Sequence, residues 1–139
     1  MKRQILVAFS LLALLMVGST AFAQSSKMTA TVPFDFVVGN KLLPAGQYVM
    51  TPLGMGSQAL ALQNVQSKEM ATVLVNEIES LHPSSTGKLV FHEYAGEYFL
   101  REIWGAGNGR GRELPRTRHE QEMAKAMNSR DVIELGALR

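Results

Sequence analysis

The sequence predicts a mainly β fold, an antiparallel sandwich or small open barrel of six to seven short strands with one C-terminal helix. Three observations lead to this prediction. Short runs with apolar residues at alternate positions recur about every 10 to 15 residues between positions 30 and 104. Turn-forming residues separate these runs, and no helical periodicity lies between them. Only the segment that begins at Thr117 has a clear helix-start pattern.

The N-terminal 23 residues have the pattern of a signal peptide. A basic start over residues 1–4 precedes an apolar run over residues 5–17, and residues 21–23 form an Ala-Phe-Ala cleavage signal. We therefore expect cleavage between Ala23 and Gln24. The mature protein is then periplasmic or secreted, and its sequence has no second apolar run long enough to cross a membrane.

The mature chain is expected to be a single β-rich domain over residues 24–139. Cleavage removes two of the 14 Lys and Arg residues, so the remaining basic residues equal the 12 Asp and Glu residues in number. A chain with no net charge lacks the clustered positive charge on which nucleic-acid binding rests, and we expect no nucleic-acid partner. The chain has no cysteine, which excludes disulfides and thiolate chemistry.

Six strands are predicted in order along this domain. The first alternates from Ala30 to Val38, and Pro33 within it indicates an edge strand or a bulge. A break at Gly39 and a turn over residues 43–46 follow it. The other strands are expected over residues 47–53, 58–65, 70–78, 88–94 and 97–104.

The last two strands are predicted to form a hairpin around Ala95 and Gly96. The expected register brings aromatic and aliphatic side chains together across the two strands. It pairs Tyr94 with Glu97, His92 with Phe99, Phe91 with Leu100 and Leu89 with Glu102.

The chain changes in composition after the last of these strands. Four glycines within residues 105–111 indicate a flexible loop or an exit from the sheet, and we expect a Gly/Arg loop over residues 104–117. Thr117 at the N-cap position, with Glu120 three residues later, predicts a helix over residues 118–128. The tail over residues 131–139 is apolar enough that we expect it to pack back on the domain, with a short strand as one way to do so.

Two stretches resemble a known group of proteins. Residues 34–48 read F-D-F-V-V-G-N-K-L-L-P-A-G-Q-Y, and residues 88–104 contain K-L-V-F and Y-F-L-R-E-I-W. These patterns resemble a family of short, uncharacterised exported proteins of soil bacteria, and the likeness covers most of the mature chain. The resemblance implies export and a β-rich domain, and it implies no activity, ligand or catalytic residue.

No enzyme motif is complete in the sequence. A phosphate-binding glycine loop would need glycine at position 110 or 112, and both positions are Arg. Glu77 and Glu79 share a strand face, which is more typical of a solvated sheet edge than of a glycosidase. We therefore expect a non-enzymatic protein without a cofactor, with a small periplasmic hydrolase as an alternative.

One helix stripe could bind a soft metal ion. His119, Met123 and Met127 recur at every fourth position of the predicted helix and so lie on one face. Thioether ligands select Cu(I), which makes copper the relevant metal. The preferred interpretation is that the methionines form the packing face of the helix, so no metal site is predicted.

Basic residues concentrate between Gly109 and His119. Within a mature chain of no net charge, the segment carries a local charge of +3, from four arginines and Glu113. The planar arginine fork pairs with carboxylates and phosphates. The four arginines, Arg110, Arg112, Arg116 and Arg118, are therefore candidates for binding an anionic partner.

The expected function is an exported binding or structural module of the cell envelope that docks an anionic component through this Arg-rich segment. Trp104 is a further partner-binding candidate, because its ring could stack on a sugar. In an alternative interpretation, the arginines are a solvated face with local ion pairs of little net energy. A second alternative function is a lipocalin-like carrier of a small apolar ligand.

Overall fold

The computed structural model describes residues 27–54, 56, 58–107, 109–127 and 131–137. Strands account for 58% of these residues and helix for 9%, in two sheets that do not close into a barrel, so the predicted mainly β fold with one C-terminal helix is confirmed. The predicted signal peptide lies outside the described residues. Within the described part of the chain, no helix is long and apolar enough to cross a membrane.

The described residues form eleven strands and one helix. The predicted strand over residues 30–38 is two strands, and so is the one over residues 70–78. Two further short strands occupy segments that were predicted as turn or loop. The elements are β1 (Met28–Val32), β2 (Phe36–Val38), β3 (Lys41–Leu43), β4 (Gly46–Leu53), β5 (Ala59–Asn64), β6 (Met70–Leu74), β7 (Asn76–Glu79), β8 (Gly87–Tyr94), β9 (Glu97–Trp104), β10 (Arg110–Glu113), α1 (Arg118–Ala126) and β11 (Asp131–Ala137).

The strands are arranged in two sheets. Sheet A is antiparallel and has the order β1-β4-β5-β6. Sheet B has the order β11-β8-β9-β10-β7 and also includes the β2–β3 hairpin. Strand β2 joins β9 in parallel through Val37 and Phe99, nearer the start of β9 than the part that pairs with β10.

The chain crosses from sheet A to sheet B within each of the two predicted strands that are split. The first crossing follows β1 at Pro33, which has no N–H group with which to continue the ladder. The alternation of Ala30 and Val32 with Phe36 continues through the crossing, because residues of both sheets are buried in the same core. The second crossing occurs at Val75, which is also buried.

The hydrophobic core lies between the facing sides of the two sheets. Phe36 of β2 is at its centre and makes edge-to-face ring contacts with Tyr48, at 5.1 Å, and with Phe91, at 5.5 Å. Such ring pairs add to the stabilisation that comes from burial itself. The side of each sheet that faces this core is called the inner face below, and the opposite side is called the outer face.

A bulge in β9 changes the predicted register of the β8–β9 hairpin. The three predicted pairs nearest the turn are confirmed, but Leu89 lies opposite Ile103 and not Glu102. The reason is that Arg101 is an extra residue without a partner in β8, which shifts the register by one. After the bulge, Ile103 lies on the inner face, and Glu102 and Trp104 lie on the outer face.

The prediction of a flexible loop over residues 104–117 is wrong for residues 110–113, which form β10 between β9 and β7. Gly111 permits this pairing because the Trp104 ring lies directly over it. A Cβ atom at position 111 would come within 2.6 Å of Cε3 of that ring. Gly111 therefore allows the Trp104 ring of β9 to pack closely on β10. In the sequence, this glycine indicated only backbone flexibility.

The C-terminal elements follow the predictions closely. Helix α1 begins at Arg118, and the Thr117 hydroxyl oxygen accepts a hydrogen bond of 3.2 Å from the Glu120 amide, as expected of an N-cap. The helix ends at Ala126, two residues before its predicted end. The tail packs back on the domain as β11, which pairs with β8 along its full length.

Candidate functional site

The two sheets separate at one end and leave a cleft of about 880 Å³ between them. Clefts of this size are typical of sites for small molecules. One wall is formed by sheet A and by the segment that leads into β7, and the other by sheet B. The side chains that line it include Lys27, Met28, Met50, Pro52, Leu60, Leu74, Val75, Glu77, Ile103, Arg110 and Arg112.

One row of residues across sheet B determines the chemistry of the cleft. Leu89, Ile103, Arg112 and Glu77 lie directly opposite one another on β8, β9, β10 and β7. Residues that are directly opposite in neighbouring strands share a face of the sheet. Leu89 and Ile103 are buried in the core, so Arg112 and Glu77 continue the same inner face. The inner face thus changes from apolar to charged towards the edge strand β7.

A second row lies beside the first and is charged throughout. Arg110 is two residues before Arg112 on β10, so both share the inner face, and it lies opposite Glu79 of β7. The Nε atom of Arg110 is 4.0 Å from Oε1 of Glu77, and both side chains are largely exposed. Screening by water makes such an exposed pair weak.

Arg112 has a different environment from Arg110. It is half-buried beside Ile103, and its guanidinium forms no hydrogen bond or ion pair with any residue that the structure describes. A charge that is partly removed from water is costly unless a counter-charge compensates for it. Arg112 is therefore the strongest candidate in the cleft for direct contact with an anion.

The facing wall of the cleft is apolar. Met28 and Met50 lie opposite each other on β1 and β4, and Pro52 and Leu60 lie opposite each other on β4 and β5. Met50 and Leu60 are buried, and the other two are half-buried. Together with Ile103 at the base, these side chains give the cleft one apolar side and one charged side.

The bulged Arg101 holds the strand that carries the cleft arginines. Its guanidinium donates hydrogen bonds to the Leu114 carbonyl and, at 2.9 Å, to Oε1 of Glu113. The Leu114 amide donates in return to the Arg101 carbonyl at 2.8 Å. Because Arg112 directly precedes Glu113, this double contact fixes the end of β10 and with it the position of Arg112.

A buried charge cluster connects α1 to the outer face of sheet B. Glu120 is the one residue of α1 that is buried, with 2% of its surface exposed. Its Oε2 atom lies 3.5 Å from Nη1 of Arg101, and its Oε1 atom lies 3.7 Å from Nδ1 of His92 and 4.0 Å from Nε of Arg116. The one fully buried side chain of the helix is therefore charged, and these ion pairs contribute to docking α1 on sheet B.

The four arginines singled out in the sequence fall into two pairs. Arg110 and Arg112 line the cleft. Arg116 belongs to the charge cluster under α1, and Arg118 makes an exposed ion pair with Glu122 at 3.1 Å. The second pair does not line the cleft, so the structure does not bring all four arginines to one site.

Trp104 is separated from the cleft arginines by the sheet itself. Its ring packs on Gly111 at the outer face, and its Nε1 atom donates a hydrogen bond of 2.7 Å to Glu102. The ring is half-buried. Its role as a partner-binding residue stays a prediction, and it does not belong to the cleft.

The predicted soft-metal stripe lies elsewhere on α1. His119 is exposed, and its Nε2 atom is hydrogen-bonded to Glu97 at 2.9 Å. Both residues border a smaller cleft of about 500 Å³ beside the β8–β9 turn. Met123 and Met127 are half-buried. In the described part of the chain, no group of three His, Cys, Asp or Glu residues could hold a metal ion, and the soft-metal hypothesis stays untested.

Two short charge patterns in the sequence could have indicated the charged side of the cleft. Arg110 and Arg112 flank Gly111 in an R-x-R pattern, and Glu77 and Glu79 form an E-x-E pattern. Alternating charges of opposite sign are typical of two neighbouring strands. The partners of Arg101 carried no such signal, because their positions depend on the bulge.

Comparisons of the chain with protein-family models, with curated proteins and with solved structures find no match. The resemblance to exported proteins of soil bacteria therefore stays a prediction.

Proposed function

We propose that the protein is an exported, non-enzymatic binding module of the cell envelope that holds an anionic partner in the cleft between its two sheets. The observation that carries the proposal is the position of Arg112. Arg112 is half-buried, and its side chain lies on the inner face beside Ile103, without a side-chain partner among the described residues. A bound carboxylate or phosphate would compensate for its charge through the paired hydrogen bonds that arginine favours.

The charge of the cleft supports an anion over a cation. Lys27, Arg110 and Arg112 line it, and Glu77 is the acidic residue among its lining side chains. Three positive charges and one negative charge attract anions to an opening that is bounded on one side by an apolar wall of low dielectric constant. This charge difference is local, since the mature chain carries as many acidic as basic residues.

The carrier hypothesis retains support in a modified form. The sheets do not form a closed barrel in the described residues, which is a difference from a lipocalin-like carrier. The apolar wall, where Met28 and Pro52 are half-buried, is nevertheless suited to an apolar part of a ligand. In this proposal, one cleft binds the anionic part of a ligand on its charged side and an apolar part on its apolar side.

Retention on isolated envelope material at increasing salt tests the proposal. The mature chain is compared with two double variants that remove the same charge. Arg110→Gln/Arg112→Gln changes the cleft pair, and Arg116→Gln/Arg118→Gln changes the helix pair, with circular dichroism as a check that each variant is folded. We expect the wild type and the helix variant to be retained at 50 mM salt and released by 500 mM, because screening weakens charge pairing.

The cleft variant should not be retained at either concentration. Equal retention of the two variants would refute the assignment of binding to the cleft, and so would failure of the wild type to be retained. Export is tested separately by N-terminal sequencing of the protein from a periplasmic fraction, where the expected first residue is Gln24.

A further inference from the structure

We infer that the anionic partner is an amphipath that carries a single anionic group at one end of a flexible apolar chain. The inference rests on the proposed function, because it names the class of ligand for the same cleft. Three features of the cleft support it: the contrast between its apolar and its charged wall, the positive charge that Glu77 does not offset, and an exposed leucine at its rim.

The two walls are too different for a ligand of uniform polarity. A free inorganic anion or an acidic polysaccharide would leave the half-buried Met28 and Pro52 and the exposed Leu74 facing water or facing polar groups. An apolar ligand would leave the guanidinium of Arg112 without a counter-charge. An amphipath satisfies both walls, since burial of its chain is favourable and its head group pairs with the arginine.

The walls meet at Ile103, which lies directly opposite Arg112 on the neighbouring strand. Packed sheets are about 10 Å apart, so a head group at Arg112 places the first atoms of a chain within reach of Met50 on the facing sheet. Unbranched methionine side chains adapt to apolar groups of different shape. The cleft thus suits a flexible chain better than a rigid ring system.

The charges of the cleft favour a single anionic group on the ligand. Glu77 lies opposite Arg112 and within 4.0 Å of Arg110, so it offsets part of the positive charge. A ligand with several anionic groups would bring some of them close to this carboxylate, which would repel them. Arg112 is left to hold one carboxylate or one phosphate monoester.

One exposed leucine borders the cleft at its rim. Leu74 at the end of β6 is among the residues that line the cleft, and 72% of its surface is exposed. In this proposal it contacts the part of a chain that the cleft does not enclose. Leu81 provides a matched control, because it is 95% exposed and does not line the cleft.

Calorimetric titration of the mature protein tests the inference. The probes are octanoate, decanoate, decyl phosphate, 1-decanol and inorganic phosphate, each below the concentration at which it aggregates. We expect decanoate or decyl phosphate to bind one to one, at least tenfold more tightly than 1-decanol or inorganic phosphate. Affinity should rise about fourfold for each added methylene between octanoate and decanoate. The ratio of decanoate to decyl phosphate affinity identifies the head group.

Two pairs of variants locate the binding. Arg112→Gln should reduce decanoate affinity to that of 1-decanol, whereas Arg118→Gln should leave it unchanged. Leu74→Gln should weaken decanoate severalfold without affecting inorganic phosphate, whereas Leu81→Gln should affect neither. The two leucines and Arg118 are exposed, so their substitution should not affect folding. Circular dichroism checks that every variant, including Arg112→Gln, is folded.

The outcomes separate the inference from the proposed function. If inorganic phosphate binds as tightly as decanoate and depends on Arg112, the amphipath is refuted and the anion-binding cleft stands. If decanoate binds wild type and Arg112→Gln equally, both are refuted. If 1-decanol binds as tightly as decanoate, the site is an apolar carrier and the inference is wrong.

Discussion

Replacement of Glu120 by Gln should loosen α1 from the outer face of sheet B. The substitution keeps the size and shape of the side chain and removes its charge. The carboxylate lies within 4.0 Å of three cationic or ionisable side chains, His92, Arg101 and Arg116. Without the acid, the buried Arg101 and its neighbours lose part of their compensation.

The expected cost is about 2 to 3 kcal/mol, from two considerations. Removing one partner of a buried ion pair costs about 3 to 5 kcal/mol. Here the cost is reduced, because Arg101 keeps its hydrogen bonds to Glu113 and to the Leu114 carbonyl. The distances of 3.5 to 4.0 Å from Glu120 are also longer than those of the strongest charged hydrogen bonds.

Glu122→Gln is the matched control on the same helix. Its side chain is largely exposed and pairs with the exposed Arg118, so the change should cost less than about 1 kcal/mol. The measurements are urea unfolding and native-state amide hydrogen exchange over residues 118–126. In Glu120→Gln, exchange in α1 should speed up about 30- to 150-fold. Equal effects of the two substitutions would refute the idea that charge docks the helix.

Three further outcomes are expected. Gly111→Ala should cost about 1 to 3 kcal/mol and shift the emission of Trp104, because the new Cβ would meet the ring at 2.6 Å; an unchanged spectrum and midpoint would contradict this close approach. Burial raises the pKa of Tyr48 above its usual 10.0, so its hydroxyl stays protonated in the folded state at a pH where it ionises in the unfolded state. The free energy of unfolding should therefore fall as the pH rises above about 10, and Tyr48→Phe should lack this part of the fall, as urea unfolding between pH 8 and 11 will show. Limited trypsinolysis should not cut first at Arg112, which lies in a strand between β9 and β7; a first product ending there, found by mass spectrometry, would show that β10 opens readily.

Alternation in the sequence identified core positions well but could not assign them to sheets. Ala30, Val32, Phe34, Phe36 and Val38 were expected on one side of a single strand; Phe34 is half-buried and the other four are buried. The crossing at Pro33 leaves this pattern unbroken, because both sheets contribute to one core. Local patterns report which side of the chain is buried, and only long-range pairing decides which strand lies beside it.

The candidate site was predictable in part for a similar reason. The charge of Arg110 and Arg112 drew attention to the correct segment. Their separation from Arg116 and Arg118 depends on β10, which forms because Gly111 admits the Trp104 ring. The apolar wall comes from sheet A, far away in sequence, and no local pattern indicates that it faces two arginines.

The polarity of the cleft depends on the single extra residue in β9. Leu100 lies on the inner face, so strict alternation would place Trp104 on that face also. Gly111, opposite Trp104, would then be on the inner face, and Arg112 would point outward to solvent. The bulge at Arg101 reverses this order and brings Arg112 beside Ile103 on the wall of the cleft. The same Arg101 then holds Glu113 and Leu114 at the end of β10. The bulge at Arg101 thus turns Arg112 towards the facing sheet, and the Arg101 side chain holds the end of β10 in that position. Both effects explain why the bulge lies beside the candidate site.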